Sequence, residues 1–280
     1  MTRTIRIGIS TCPNDTFAFH ALLERIVPTP GLELDFHLAD VEELNEYMLA
    51  RRLDAAKVSF HAALAMHDRV VVLPAGAALG FGIGPALLGA PGHERFAFPP
   101  GVEPHVLAPG RWTTATLLMR LLHPEVRELE QVLFSAIMPA LREGRADYGV
   151  CIHEGRFTWR EAGLHWVEDL GKSYEAASGT ALPLGGIVAR ADLGPEELNS
   201  LASAIRRSLE WAHENRAACL PTMRRYAQEQ TDDVLWRHVE LYVNARTLDL
   251  GEEGRTALET LGKLARENGL LPPGEELRVL

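Results

Sequence analysis

Between Arg3 and Phe60 the hydrophobic pattern switches period repeatedly, and this switching limits the fold more than any other feature of the sequence. Residues 3–10 (RTIRIGIS) read as a strand. From Asn14 or Asp15, either of which can cap a helix, apolar Phe17, Phe19, Leu22, Leu23 and Ile26 recur at helical spacing. Residues 32–38 alternate apolar and polar side chains, as a half-buried strand does. Asp40-Val-Glu-Glu43 resembles a capping box ahead of Leu44, Met48 and Leu49. Residues 55–60 form a third strand pattern, followed by a short helix to His67. Strands separated by helices are not joined as hairpins, so this β-α-β-α-β order predicts a parallel sheet with right-handed crossovers.

The pattern restarts after Pro91-Gly92. Strand-like residues 105–108 lead through Pro109-Gly-Arg-Trp-Thr-Thr114 into a helix carrying Leu117, Leu118, Leu121 and Leu122. Residues 132–134 read as a strand, 135–143 as a helix and 147–152 as a strand. Strands at 164–167 and 184–189 complete this second set. From Pro195 onward helical periodicity takes over, at 198–212, 220–228, 232–245 and 252–268. The expected architecture is therefore α/β and two-lobed, with a helical tail packed back on the first lobe to cover a sheet face. Lobe one spans residues 1–91 and 190–280, and lobe two spans residues 92–189. The chain would cross between them near 90–92 and 189–192. Two crossings make a hinge, with a ligand cleft beneath it.

Composition excludes several classes of function. The net charge of −10 leaves no basic stripe for phosphates, so nucleic acid is not the expected partner. Three cysteines without a CxxC spacing argue against a disulfide framework or a zinc knot and suit a reducing cytoplasm. The N-terminal residues do not read as a signal peptide, because no apolar core follows the basic residues. Residues 70–92 carry no charge over 23 positions, which is the length of a membrane span. Glycines and prolines interrupt them, and two buried strands around the GFGIG turn are expected instead. No membrane partner is expected. The acidic balance is compatible with a monomer or a homodimer.

In open α/β sheets, ligands sit beyond the carboxyl ends of the strands. Four polar stretches leave strands in this way: STCPNDT (10–16), KVSFH (57–61), GRWTT (110–114) and the His153-Glu154 pair of DYGVCIHEGRF (147–157). Lobe boundaries put two on each side of the cleft. Thr113 and Thr114 open a helix, where unpaired backbone N–H groups attract an anion, although one threonine can equally be a plain N-cap. Ser59 is their counterpart, or else a hydroxyl bonded to its own backbone. Asn14, Asp15, His61 and Glu154 are further candidates to line the cleft. Cys12 invites a nucleophile reading with His153, but a small residue lining a turn is the simpler one. HEGRF is not HExxH, and no metal site is expected. GFGIG lacks the downstream lysine of a phosphate loop. Among eleven histidines, His153 alone follows an apolar strand and precedes a glycine-containing turn. The residues alone leave it a packed histidine or a general base, the role for which histidine suits neutral pH.

Seven collinear stretches then identify a resemblance: STCPNDTFAF, KVSFHA, GAALGFGIGP, APGRWTTATLL, GVCIHEGRFTW, LPLGGIVAR and YVNARTLDLGEEGR. They closely resemble the 1,4-dihydroxy-6-naphthoate synthase family, enzymes of the futalosine route to menaquinone. The chain departs from that pattern at Cys151, where an aliphatic is expected, and at Thr11, where proline is common. The resemblance implies the two-lobed fold of type II periplasmic solute-binding proteins. It also implies a cofactor-independent carbon–carbon lyase acting on a small carboxylate, cyclic dehypoxanthinyl futalosine, with release of dihydroxyacetone. His153 matches the family's proton acceptor. Lys57, Val58 and Ser59, with Thr113 and Thr114, match its substrate contacts. Two other functions use this fold: a solute receptor, which would carry an export signal, and chorismate dehydratase of the same pathway. The TCPNDTF and DYGVCIHEGRF stretches favour the naphthoate synthase.

Overall fold

The computed structural model describes residues 2–99, 101–153, 155–227 and 231–280. Its strands are β1 (Arg3–Ser10), β2 (Leu32–Ala39), β3 (Ala55–Ser59), β4 (Val70–Val72), β5 (Ala78–Gly80), β6 (Ala86–Gly89), β7 (Val106–Ala108), β8 (Glu130–Gln131), β9 (Tyr148–Cys151), β10 (His165–Asp169) and β11 (Leu182–Arg190). They form two sheets. The first runs β2-β1-β3-β11-β4, with β5 also on β11, and the second runs β10-β6-β9-β7-β8. β1 lies parallel between β2 and β3, with Ile7 opposite both Phe36 and Ala55, as the alternating pattern requires.

The sheets are mixed rather than wholly parallel. β11 runs antiparallel to β3, β4 and β5, and β6 runs antiparallel to β9 and β10. A chain that leaves one sheet to build the other returns from the cleft side. Its return strand must therefore run against its neighbours. This geometry also moves the crossings. Residues 86–89, expected on the first lobe, belong to the second sheet. Residues 184–189, expected on the second lobe, are paired to β3 in the first. The chain crosses between Gly80 and Ala86 and comes back between Asp169 and Leu182. Residues 70–92 hold three short buried strands, not two. Residues 132–134 are not a strand: the pairing stops at Gln131, and Leu133 is already the N-cap of the helix Phe134–Arg142.

The helical tail covers the first sheet. Ile5, Ile7 and Ile9 of β1 share a buried cluster with Phe17, Leu201, Ile205 and Leu209, and with Met223 and Val239 of the following helices. A second cluster is continuous between the lobes, joining Leu44, Val58 and Phe60 to Leu87, Val106 and Tyr148. A third lies behind the second sheet, around Leu88, Ile137 and Leu141. Each fully buried side chain of this kind adds about 1.5–3 kcal/mol to the folded state before entropy is counted. Among the described residues no helix is long and apolar enough to cross a membrane.

Candidate active site

The carboxyl ends of β1, β3 and β9, the amino end of β11 and the start of the helix Thr114–Leu122 converge on one cavity. It encloses about 660 Å³ of atom-free space, part of it open to solvent. Asn14, Asp15, Lys57, Val58, Ser59, Thr113, Thr114 and His153 all line it. His61 does not. It is buried one layer behind, with Nδ1 3.2 Å from the Thr113 carbonyl oxygen, and burial pushes its pKa down to about 4. Glu154 lies outside the described residues.

Asp15 is not a helix cap. The N-cap of the helix Pro13–Ala18 is Cys12, and Asp15 turns inward from the first turn. Its Oδ2 accepts from Ser10 Oγ at 2.6 Å. Its Oδ1 accepts from Lys57 Nζ at 2.7 Å and from Asn14 Nδ2 at 2.9 Å. Lys57 Nζ also donates to the Gly76 carbonyl at 3.0 Å. The ion pair is buried, with side-chain exposures of 7% for Lys57 and 5% for Asp15. A charge removed from water to that degree is held only by its partner, so the first task of Lys57 is to neutralise Asp15.

Ser59 occupies the N-cap position of the helix Phe60–Ala65, yet its side chain does not cap that helix. Its Oγ accepts instead from Asn45 Nδ2 at 3.3 Å, and Asn45 Oδ1 accepts from the Ser59 N–H at 2.8 Å. The hydroxyl hydrogen is left to donate. On the facing lobe, Thr113 is the N-cap, with Oγ1 accepting from the Thr116 N–H and donating to the Gly110 carbonyl. Thr114 Oγ1 donates to the Leu184 carbonyl at 2.6 Å. Both hydroxyls thus serve the fold. What is left open is the backbone: the N–H groups of Thr114 and Ala115, in the first helical turn, have no acceptor within the helix, the arrangement that can bind an anion.

His153 sits at φ 55°, in the left-handed region. Histidine tolerates that region better than most residues, at a penalty of about 1–2 kcal/mol. The turn takes the chain off β9 and places the ring in the cavity. Cys12 Sγ lies 3.3 Å from Nδ1 and 3.6 Å from Nε2, and Phe134 packs edge-on with centroids 4.9 Å apart. The second face of the imidazole meets His238, with rings 6.0 Å apart and 27° from parallel. Cys12 is therefore the neighbour of His153, a contact across 141 residues that the sequence raised only as the less simple of two readings.

Ser10 was named only as the start of the STCPNDT stretch, and sequence reasoning missed Asn45, Ala115, His238 and Tyr242. The last two leave a faint signal. Leu235, His238, Val239 and Tyr242 form the buried stripe of the helix Asp232–Tyr242, and a histidine on an apolar stripe reads as core. A clasp between the lobes was also missed. The Glu42 carboxylate accepts from the Trp112 N–H, with oxygens at 2.9 and 3.1 Å, and from Asn45 Nδ2 at 3.0 Å. Burial raises the Glu42 pKa above the usual carboxylate value, although these hydrogen bonds oppose the shift.

Known proteins show the same organisation. The solved alkanesulfonate-binding protein SsuA from Xanthomonas axonopodis pv. citri, bound to MOPS, superposes with a TM-score of 0.72 at 13% identity, over 99% of this chain and 98% of that one. At that identity the likeness shows the fold alone, a two-lobed α/β periplasmic-binding-protein fold. A 1,4-dihydroxy-6-naphthoate synthase of Thermus thermophilus is 41% identical over 269 residues, 96% of each chain. Its Streptomyces coelicolor counterpart is 39% identical over 275 residues, 96% of this chain and 95% of the other. A family model described as menaquinone biosynthesis matches residues 5–267. The chain belongs to the menaquinone biosynthesis family.

Proposed function

We propose that this chain is a 1,4-dihydroxy-6-naphthoate synthase, a carbon–carbon lyase of menaquinone biosynthesis, acting in the futalosine route. The observation that carries the reading is the convergence on one cavity of His153, the Ser59 hydroxyl and the open helix N-terminus at Thr114. It occurs in a chain 41% identical to a protein of that name. The substrate is cyclic dehypoxanthinyl futalosine, and the products are 1,4-dihydroxy-6-naphthoate and dihydroxyacetone.

The substrate carboxylate binds the N–H groups of Thr114 and Ala115, where the helix dipole favours negative charge. Ser59 donates to a substrate oxygen from the opposite lobe, so the substrate bridges the cleft. His153 takes a proton from the substrate, and the electron pair released drives cleavage of the bond to the three-carbon fragment. That fragment leaves as dihydroxyacetone while the second ring becomes aromatic. Aromatisation supplies driving force within the substrate itself, so the cleavage calls for no external electron acceptor. Holding the reactant between two lobes fixes its geometry and excludes water, which raises the rate without further chemical groups. Lys57 and Asp15 act as a neutral pair beneath the site and keep Ser10 and Asn14 in place. Three cysteines suit a reducing compartment, and the reaction is assigned to the cytoplasm.

The test is a comparison of substrates. Purified protein is incubated with cyclic dehypoxanthinyl futalosine and, separately, with chorismate, and products are identified by mass. The expected result is 1,4-dihydroxy-6-naphthoate and dihydroxyacetone in equal amounts from the first and nothing from the second. Binding without turnover would support a solute receptor, and dehydration of chorismate would support the other enzyme of the pathway.

A further inference from the structure

His238 is fully buried, at 1% exposure, and lines the same cavity as His153. Among the described residues neither of its ring nitrogens has a hydrogen-bond partner, although both are shielded from solvent. Its surroundings are other rings: His153 stacked at 6.0 Å, Tyr242 tilted at 4.6 Å and Phe157 edge-on at 6.3 Å between centroids. A phenylalanine would pack in such a place without leaving two polar atoms unsatisfied, and leaving them so is destabilising. Buried polar atoms without partners that border a cavity are accounted for if the partner is what the cavity binds.

We infer that His238 is a substrate-contacting residue, which binds a hydroxyl group of the substrate beside the position from which His153 takes its proton. A neutral imidazole offers one N–H donor and one nitrogen acceptor. A hydroxyl group is the small ligand group that can use either. His238 is held neutral, its pKa pushed well below the usual histidine value by burial first and then by its nearness to His153 and Lys57, beside which a further positive charge is unfavourable. A neutral ring stacked on His153 also adds no positive charge beside a base that must accept a proton. The inference rests on the proposed function for the identity of the substrate. Its physical basis, two unsatisfied nitrogens on a cavity wall, is independent of that identity.

The experiment compares wild-type protein with His238→Phe, which keeps a ring and removes both nitrogens, and with His238→Gln, which restores a donor and an acceptor. Each is measured for its thermal midpoint and for kcat and KM with cyclic dehypoxanthinyl futalosine. The expected result for His238→Phe is a midpoint at or above that of the wild type with kcat/KM at least tenfold lower. His238→Gln should recover part of the loss. A lower midpoint with unchanged kcat/KM in His238→Phe would overturn the inference, because His238 would then be a packing residue. A second measurement does not depend on how His238→Phe folds. In ¹⁵N-histidine-labelled wild-type protein, with signals assigned through His238→Gln, binding of 1,4-dihydroxy-6-naphthoate should shift a His238 ring nitrogen. Shifts confined to other histidines would count against it. The wild-type control separates the two claims. Absence of turnover by wild-type protein removes the proposed function, whereas wild-type turnover that His238→Phe matches removes only the inference.

Discussion

Asp15 and Lys57 set the strongest energetic constraint among the single residues of the site. With three donors on the carboxylate and almost no solvent, either charge left alone is severely destabilising. Lys57→Met should lower stability by about 3–5 kcal/mol, whereas Lys57→Met combined with Asp15→Leu should lower it less, since no buried charge is stranded. Urea denaturation of the two variants checks the order, and a double variant weaker than the single one would contradict it. His61 gives a pH signature. In the unfolded chain it protonates near pH 6.5, but in the fold only near pH 4. Between those values the unfolded state binds more protons, so the contribution of His61 is complete above pH 6.5. It is lost as pH falls towards 4, by about 3 kcal/mol in the limit. His238 shifts in the same direction. His61→Phe should flatten the decline in thermal midpoint between pH 7 and pH 5, and an unaltered slope would contradict the assignment. At this scale the sequence was only partly readable. His153 was a candidate because it follows an apolar strand, and it does line the cavity. The Asp15–Lys57 pair did not, because its partners lie 42 residues apart and meet only once β1 and β3 are paired.

Elements were legible where their periodicity was long and obscure where pairing decided them. The tail helices Pro195–Glu214 and Gly251–Glu267 follow their apolar stripes closely. β11 was assigned to the wrong sheet, since nothing in LPLGGIVAR says which neighbour it will meet. The two crossing segments touch where Gly84 and Gly171 face each other. A Cβ on Gly84 would lie 2.2 Å from the Gly171 Cα. Arg156 ties the same place together, donating to the carbonyls of Gly82 and Gly84 and pairing with Asp169 at 2.7 Å. Backbone cannot yield there as a flexible side chain would. Gly84→Ala should therefore lower stability by about 1–3 kcal/mol and shift one sheet against the other. Thermal denaturation and turnover measured together check this: both should fall, and a variant with wild-type values of each would refute the close approach.

Across the whole molecule, the β-α-β order, its restart after Gly92 and the helical periodicity from Pro195 predicted a two-lobed α/β architecture with a tail on the first lobe, and that is the architecture observed. Where the lobes exchange chain was not readable, because the crossing strands are short, wholly buried and without alternation. The lobes are clasped by Glu42, which holds the Trp112 N–H across the cleft beside Asn45 and Ser59. Glu42→Ala removes that acceptor. It should raise KM for the substrate and increase the radius of gyration of the unliganded protein in small-angle X-ray scattering, and a variant unchanged in both would show that the clasp does not hold the lobes.

The account turns on His153 as the base in the cleft. The most direct measurement is the initial rate of 1,4-dihydroxy-6-naphthoate formation from cyclic dehypoxanthinyl futalosine by the wild-type protein and by His153→Ala, with thermal midpoints recorded for both. Removing a positioned general base lowers rates by about 10²–10⁴-fold, and relief of the left-handed backbone is not expected, since alanine is no better placed there. The predicted result is a loss of at least a hundredfold in kcat with the fold intact. A His153→Ala variant that folds and turns over at the wild-type rate would contradict the account.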